Sequence, residues 1–141
     1  MTERRAACHC GQLQVQCEGE PKKVSMCHCF ECQRRTGSAF SIAAFYERNR
    51  VTIEHGTSKT YVRESASGFP VTFYFCPECG ANVYWEPARL PTLVGIAVGA
   101  FADPEFPRPQ QSVWTRDKHE WLALPKDVVL HQVNVSPRTT S

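Results

Sequence analysis

CHCFECQRRTGS, residues 27–38, packs three cysteines into six positions. A closed metal site built from cysteine thiolates uses four ligands, so this stretch falls one short. In an extended segment residues i and i+2 point to the same face, which lets Cys27 and Cys29 share an ion while His28 points away. Cys32 follows Cys29 at CxxC spacing and can curl back as a third ligand.

A second group reads CPECG, residues 76–80. Its proline shapes a turn and its glycine permits the positive φ that lets backbone amides face the sulfurs and stabilise thiolates. Such a knuckle supplies two ligands, and CHCG at residues 8–11 offers another pair, Cys8 and Cys10, with His9 turned away by the same alternation. Seven of the eight cysteines therefore divide into four, Cys8, Cys10, Cys76 and Cys79, and three, Cys27, Cys29 and Cys32. The four predict a closed structural zinc. The three predict a catalytic zinc whose remaining position takes water or substrate. Cys17 stands apart, in phase with Leu13 and Val15 as a core thiol would be. Three other readings stay open here: Cys17 closing the second site, so that both are structural; disulfides; and an iron or iron–sulfur centre.

A chain of 141 residues, 42% of them hydrophobic, can bury one core. One domain is expected over residues 1–136, with a frayed tail at 137–141. The net charge of +2 comes from 16 basic and 14 acidic residues spread along the chain, which argues against nucleic acid as a partner. No apolar run follows the charged N-terminus as a secretory signal requires, and the longest apolar stretch, 93–102, is too short and glycine-rich for a bilayer. A cytoplasmic location without membrane association is expected, where thiols stay reduced and metal binding explains the cysteines.

Period-two alternation predicts short strands through Leu13, Val15 and Cys17, through Val71, Phe73 and Phe75, and over 41–46, 51–54, 58–63, 81–85 and 93–98. Helical stripes are scarce and ten prolines interrupt helices. The expectation is an all-β domain with one or two short helical turns.

The ordered motifs CHCG, CHCFECQRRTGS, FCPECG followed by NVYW, VGAFADP at 98–104 and EWL before LP at 120–125 resemble the glutathione-dependent formaldehyde-activating enzymes and their centromere protein V relatives. The fold of that family is shared with a family of Rab exchange factors. The resemblance implies Mss4-like twisted β-sheets built around two unequal zinc sites, with Cys8, Cys10, Cys76 and Cys79 matching the structural ligands and Cys27, Cys29 and Cys32 the catalytic ones. It implies a carbon–sulfur lyase acting on a thiol adduct such as S-hydroxymethylglutathione, made from glutathione and formaldehyde, with the substrate thiolate as fourth zinc ligand. A small thiol and a small aldehyde are the partners this implies. Many relatives carry a histidine where this chain has Ser112, and an arginine is frequent where it has Gln33.

For substrate binding, Arg34 and Arg35 are candidates to offset the charge of a thiolate site and pair with a carboxylate. Thr36 and Ser38, flanking Gly37, are candidates to donate to a developing alkoxide, against the plainer reading of a turn with its own hydrogen bonds. Glu31 reads as a surface carboxylate. His55, His119 and His131 have no spacing that ties them to a metal. Tyr84, Trp85, Trp114 and Trp121 read as core or pocket walls. The competing function is a non-catalytic zinc module that binds a protein.

Overall fold

Alternation of apolar and polar side chains builds most of this chain, and the computed structural model, which describes residues 2–65 and 68–134, resolves it into eleven strands and one helix. The tail expected at 137–141 lies outside the described residues. In chain order the elements are β1 (Glu3–Ala7), β2 (Gln14–Glu18), β3 (Lys23–Cys27), α1 (Phe30–Thr36), β4 (Ser41–Glu47), β5 (Val51–His55), β6 (Lys59–Glu64), β7 (Pro70–Phe75), β8 (Asn82–Pro87), β9 (Leu93–Ala97), β10 (Gln111–Val113) and β11 (Val129–Leu130). Three single turns of 3-10 helix join some of them.

A three-stranded sheet, β1-β2-β5, lies against an eight-stranded sheet ordered β11-β10-β3-β4-β9-β8-β7-β6. Neighbours pair antiparallel except at one edge, where β10 runs parallel to both β3 and β11. Residues Ala6, Val15 and Cys17 of the small sheet pack with Val24, Ala44, Tyr46, Val94 and Ile96 of the large one, forming the main core. Cys17 is fully buried there, as its phase with Leu13 and Val15 predicts.

The opposite face of the large sheet carries a different set. Phe73 and Trp85 are directly paired, rings 5.9 Å apart, and pack with Ala43, Phe45 and Val71. Gly95 sits beside Trp85 in register, and a Cβ there would lie 2.4 Å from the indole nitrogen. The missing side chain is thus what lets the indole lie across the sheet. This second face forms the floor of the cavity described below.

Candidate metal centre and its cavity

The Sγ atoms of Cys8, Cys10, Cys76 and Cys79 all lie within 4.8 Å of one another. Cys8 and Cys10 are 3.6 Å apart and Cys10 and Cys76 3.7 Å, close to the ~3.8 Å edge of a tetrahedron with ~2.3 Å zinc–sulfur bonds. His9 is exposed and outside the cluster. The knuckle closes through Gly80, whose φ of 78° brings its amide to Cys76 O at 2.8 Å. The amides of Glu78 and Cys79 point at Cys76 Sγ from 3.3 and 3.4 Å, and Gln12 Nε2 from 3.1 Å. Desolvation pushes the Cys76 thiol up, but these donors outweigh it and bring it down to about 6. A sulfur that collects N–H donors is suited to the thiolate form that metals bind.

The other three thiols, Cys27, Cys29 and Cys32, also lie within 4.8 Å of one another. Cys27 ends β3, and Cys29 caps α1, its sulfur accepting the Cys32 amide at 3.3 Å. The first helical turn then returns Cys32 to the pair, and Gly37, at φ 66°, ends the helix. Hydrogen bonds from Cys27 and then Cys29 hold Cys32 well below the usual thiol range, and Ser41 and the charge of Arg35 act in the same direction. All eight cysteines are free thiols, and Cys17 belongs to neither cluster. The donor sets, four thiols in one group and three in the other, could each hold a metal ion.

His28 is fully buried between two cysteines yet turned from them, its Nε2 2.6 Å from Ser112 Oγ. The residue in place of the family's common histidine is therefore a partner to a histidine elsewhere. Gln33 also has a structural role: Nε2 donates to His28 O and Asp117 O, and Oε1 meets His119 Nε2 at 3.1 Å.

Beside the three-cysteine cluster lies a cavity of about 370 Å³, within the range of small-molecule sites. Cys27, Cys29 and Cys32 line it together with the sheet face that carries Phe45, Phe73 and Trp85. Arg35 is one of its partly buried cations. Its guanidinium lies 4.7 Å from the Phe73 ring centroid and 4.5 Å from that of Trp85, and Nη1 donates to Asn82 Oδ1 at 2.6 Å. Burial lowers the pKa of Arg35, while Cys32 raises it, so each stabilises the other's charged form. Arg63 also stands over the Phe73 ring, 5.2 Å from its centroid.

Arg34 lines the cavity mouth, largely exposed and 3.7 Å from Glu31. Thr36 gives its hydroxyl to Cys32 O and accepts the Ser38 amide, the local hydrogen bonding of a turn, and neither residue lines the cavity. Trp85 and Trp114 are cavity walls, and Tyr84 is buried in the main core. Trp121 corrects the expectation of a core or pocket wall: it is 71% exposed, on a loop where its nearest ring is His119 at 5.3 Å. His55 bonds Gln12 O from the surface, and among the described residues no histidine joins either cluster. Lys23, Arg63 and Asn82 escaped the sequence reading, although Lys23 shares with Cys27 the i, i+4 phase of one strand face.

Among solved structures, the chain is similar to a crystal structure of a Rhodobacter sphaeroides protein, at TM-score 0.56 and 20% identity, over 90% of this chain and 98% of that one. At that identity the likeness speaks to fold, and it agrees with the all-β, Mss4-like architecture expected from the motifs. The family model described as "Glutathione-dependent formaldehyde-activating enzyme" matches residues 3–117, a span that holds both cysteine clusters and nearly all of the cavity floor. This chain belongs to the glutathione-dependent formaldehyde-activating enzyme family.

Proposed function

We propose that the protein is a zinc-dependent carbon–sulfur lyase that makes or cleaves the bond between a low-molecular-weight thiol, such as glutathione, and the carbon of a small aldehyde such as formaldehyde. The observation that carries this reading is the asymmetry of the two clusters: four thiols close one site, whereas three border a cavity of ligand size. Zinc held by Cys27, Cys29 and Cys32 would supply an open coordination position and lower the pKa of an incoming thiol.

The chain's own residues then divide the remaining work. Arg35, fixed on two aromatic rings and by Asn82, offsets the negative charge of a three-thiolate site and cannot swing away from it. Phe45, Phe73 and Trp85 keep one wall apolar, which excludes water from a thiol adduct that water would otherwise solvate. Ser41 supports Cys32, and Cys29 is pinned by the Cys32 amide, so the thiols are held in position before any ligand arrives. The cavity also weighs against a purely structural zinc module, for which such a space would have no use.

The test is turnover of the zinc-loaded protein with formaldehyde and glutathione, followed as loss of free thiol. The reading requires that Cys32→Ser abolish turnover while far-ultraviolet circular dichroism stays native. A native-like, fully active Cys32→Ser protein would end it.

A further inference from the structure

We infer that the cavity carries a second, anion-binding subsite at Lys23, remote from the thiols, which selects elongated thiols bearing a carboxylate about 8 Å from the sulfur. This rests on the thiol-binding reading above and specifies the thiol.

Val24 and Met26 are buried toward the interior, so Lys23, Ser25 and Cys27 share the other face, and all three line the cavity. Four residues of extended chain separate Lys23 from Cys27, about 13 Å between Cα atoms, and a metal–sulfur bond at one end and an ammonium–carboxylate hydrogen bond at the other together take up about 5 Å of that. A thiol anchored at the cysteines and lying along this strand therefore reaches Lys23 only with its far end.

The strip between the two ends suits such a ligand. Register places Ser41 opposite Cys27, Ala43 opposite Ser25 and Phe45 opposite Lys23, so the floor changes from polar to apolar and ends under the ammonium, 5.2 Å from the Phe45 ring. Gln111 pairs with Ser25 and donates to its hydroxyl at 3.0 Å, bordering the strip on its other side.

Charge supplies the second observation. Among the described residues the lining holds six cations and two acids, and both acids have a cation of their own, Glu31 with Arg34 and Asp117 with Arg116. Lys23 makes no ion pair with any described residue, whereas its neighbour Lys22 pairs with Glu47. Burial first, then Arg89 and Lys22, lower the pKa of Lys23 to about 8. A partly buried cation crowded by cations gains most when an anion enters.

The test is calorimetric titration of the zinc-loaded full chain with three probes: glutathione, its diethyl ester, and N-acetylcysteamine, which is short and uncharged. Lys23→Gln should weaken glutathione about tenfold, as loss of one charge-assisted contact does, and leave N-acetylcysteamine unchanged. Esterification should cost the wild type a similar factor and the Lys23→Gln protein much less. Lys23→Arg should retain most of the affinity, which separates lost charge from a disturbed strand. Equal glutathione affinity in wild type and Lys23→Gln, or equal losses for glutathione and N-acetylcysteamine, would overturn the subsite while leaving thiol binding intact. Failure of every thiol to bind the wild type would overturn both the subsite and the reading beneath it.

Discussion

His28 Nε2 and Ser112 Oγ meet at 2.6 Å, both residues fully buried, and tie the cysteine turn to β10 across 84 positions of sequence. The His28 amide adds a bond to Val113 O at 3.2 Å, so the turn is held by side chain and backbone together. Ser112→Ala leaves a buried imidazole nitrogen without its partner. We expect a loss of about 1–3 kcal/mol in urea unfolding, with zinc content unchanged. An unfolding midpoint equal to wild type would mean that the bond contributes nothing to the position of the turn.

Arg35 separates charge from geometry. Arg35→Lys keeps a cation but loses the planar group that spans Phe73 and Trp85 and reaches Asn82. A fall in kcat/KM of roughly 10- to 100-fold is expected for Arg35→Lys, and a larger one for Arg35→Gln, because a planar cation in an apolar setting is poorly replaced by an ammonium. Steady-state kinetics with native circular dichroism checks both. Wild-type kinetics for Arg35→Gln would remove Arg35 from the account.

Gly95 is predicted to be intolerant for a reason outside its own backbone. A methyl group there would stand 2.4 Å from Trp85 Nε1 and 2.7 Å from Cε2, so Gly95→Ala must push the indole off the sheet and into the cavity. Overpacking of this kind costs about 1–3 kcal/mol. Thermal unfolding should show that loss together with weakened thiol binding. Unchanged binding would mean that Trp85 does not shape the cavity.

Tyr74 and Glu86 give the fold a pH dependence at both ends of the scale. Tyr74 donates to Glu86 at 2.5 Å, and Arg48 pairs with the same carboxylate. The bond to Glu86, then burial, raises Tyr74 from 10.0 to about 12, so its contribution is complete below pH 10 and is lost as pH rises through about 12. Burial pushes Glu86 up, but Tyr74 and Arg48 together bring it below its ordinary 4.5, so its contribution is present above that value and fades as pH falls. The stability difference between wild type and Tyr74→Phe should therefore be flat between about pH 5 and 10 and shrink on either side. A difference independent of pH from 4 to 12 would contradict the coupling.

The zinc-type motifs and most strands were legible because their signals are local. CPECG makes its turn from its own proline and glycine, and the alternation through Val71, Phe73 and Phe75 falls within β7. What stayed hidden depends on partners far away in sequence. The three residues of β10 form a strand by lying parallel to β11 and to β3, the latter 86 positions away at Gln111 and Ser25. β3 itself alternates Val24 and Met26 toward the core with Lys23, Ser25 and Cys27 on the other face, which reads as polar until that face proves to line a cavity. Likewise, periodicity puts Phe73 and Trp85 on one face but cannot say whether a second sheet or a ligand covers it. Helix α1 is two turns long, and its inward positions are a cysteine and an arginine, so no apolar stripe announces it.

The central claim, one closed metal site and one that accepts a thiol, is tested most directly by native mass spectrometry of the zinc-loaded protein with and without glutathione. The account predicts two zinc ions per chain, one glutathione retained, loss of that glutathione in Cys32→Ser with the fold intact, and an unfolded or insoluble Cys76→Ser, since closed sites supply folding free energy. Two zinc ions with no uptake of any small thiol, or a soluble and cooperatively folded Cys76→Ser, would contradict it.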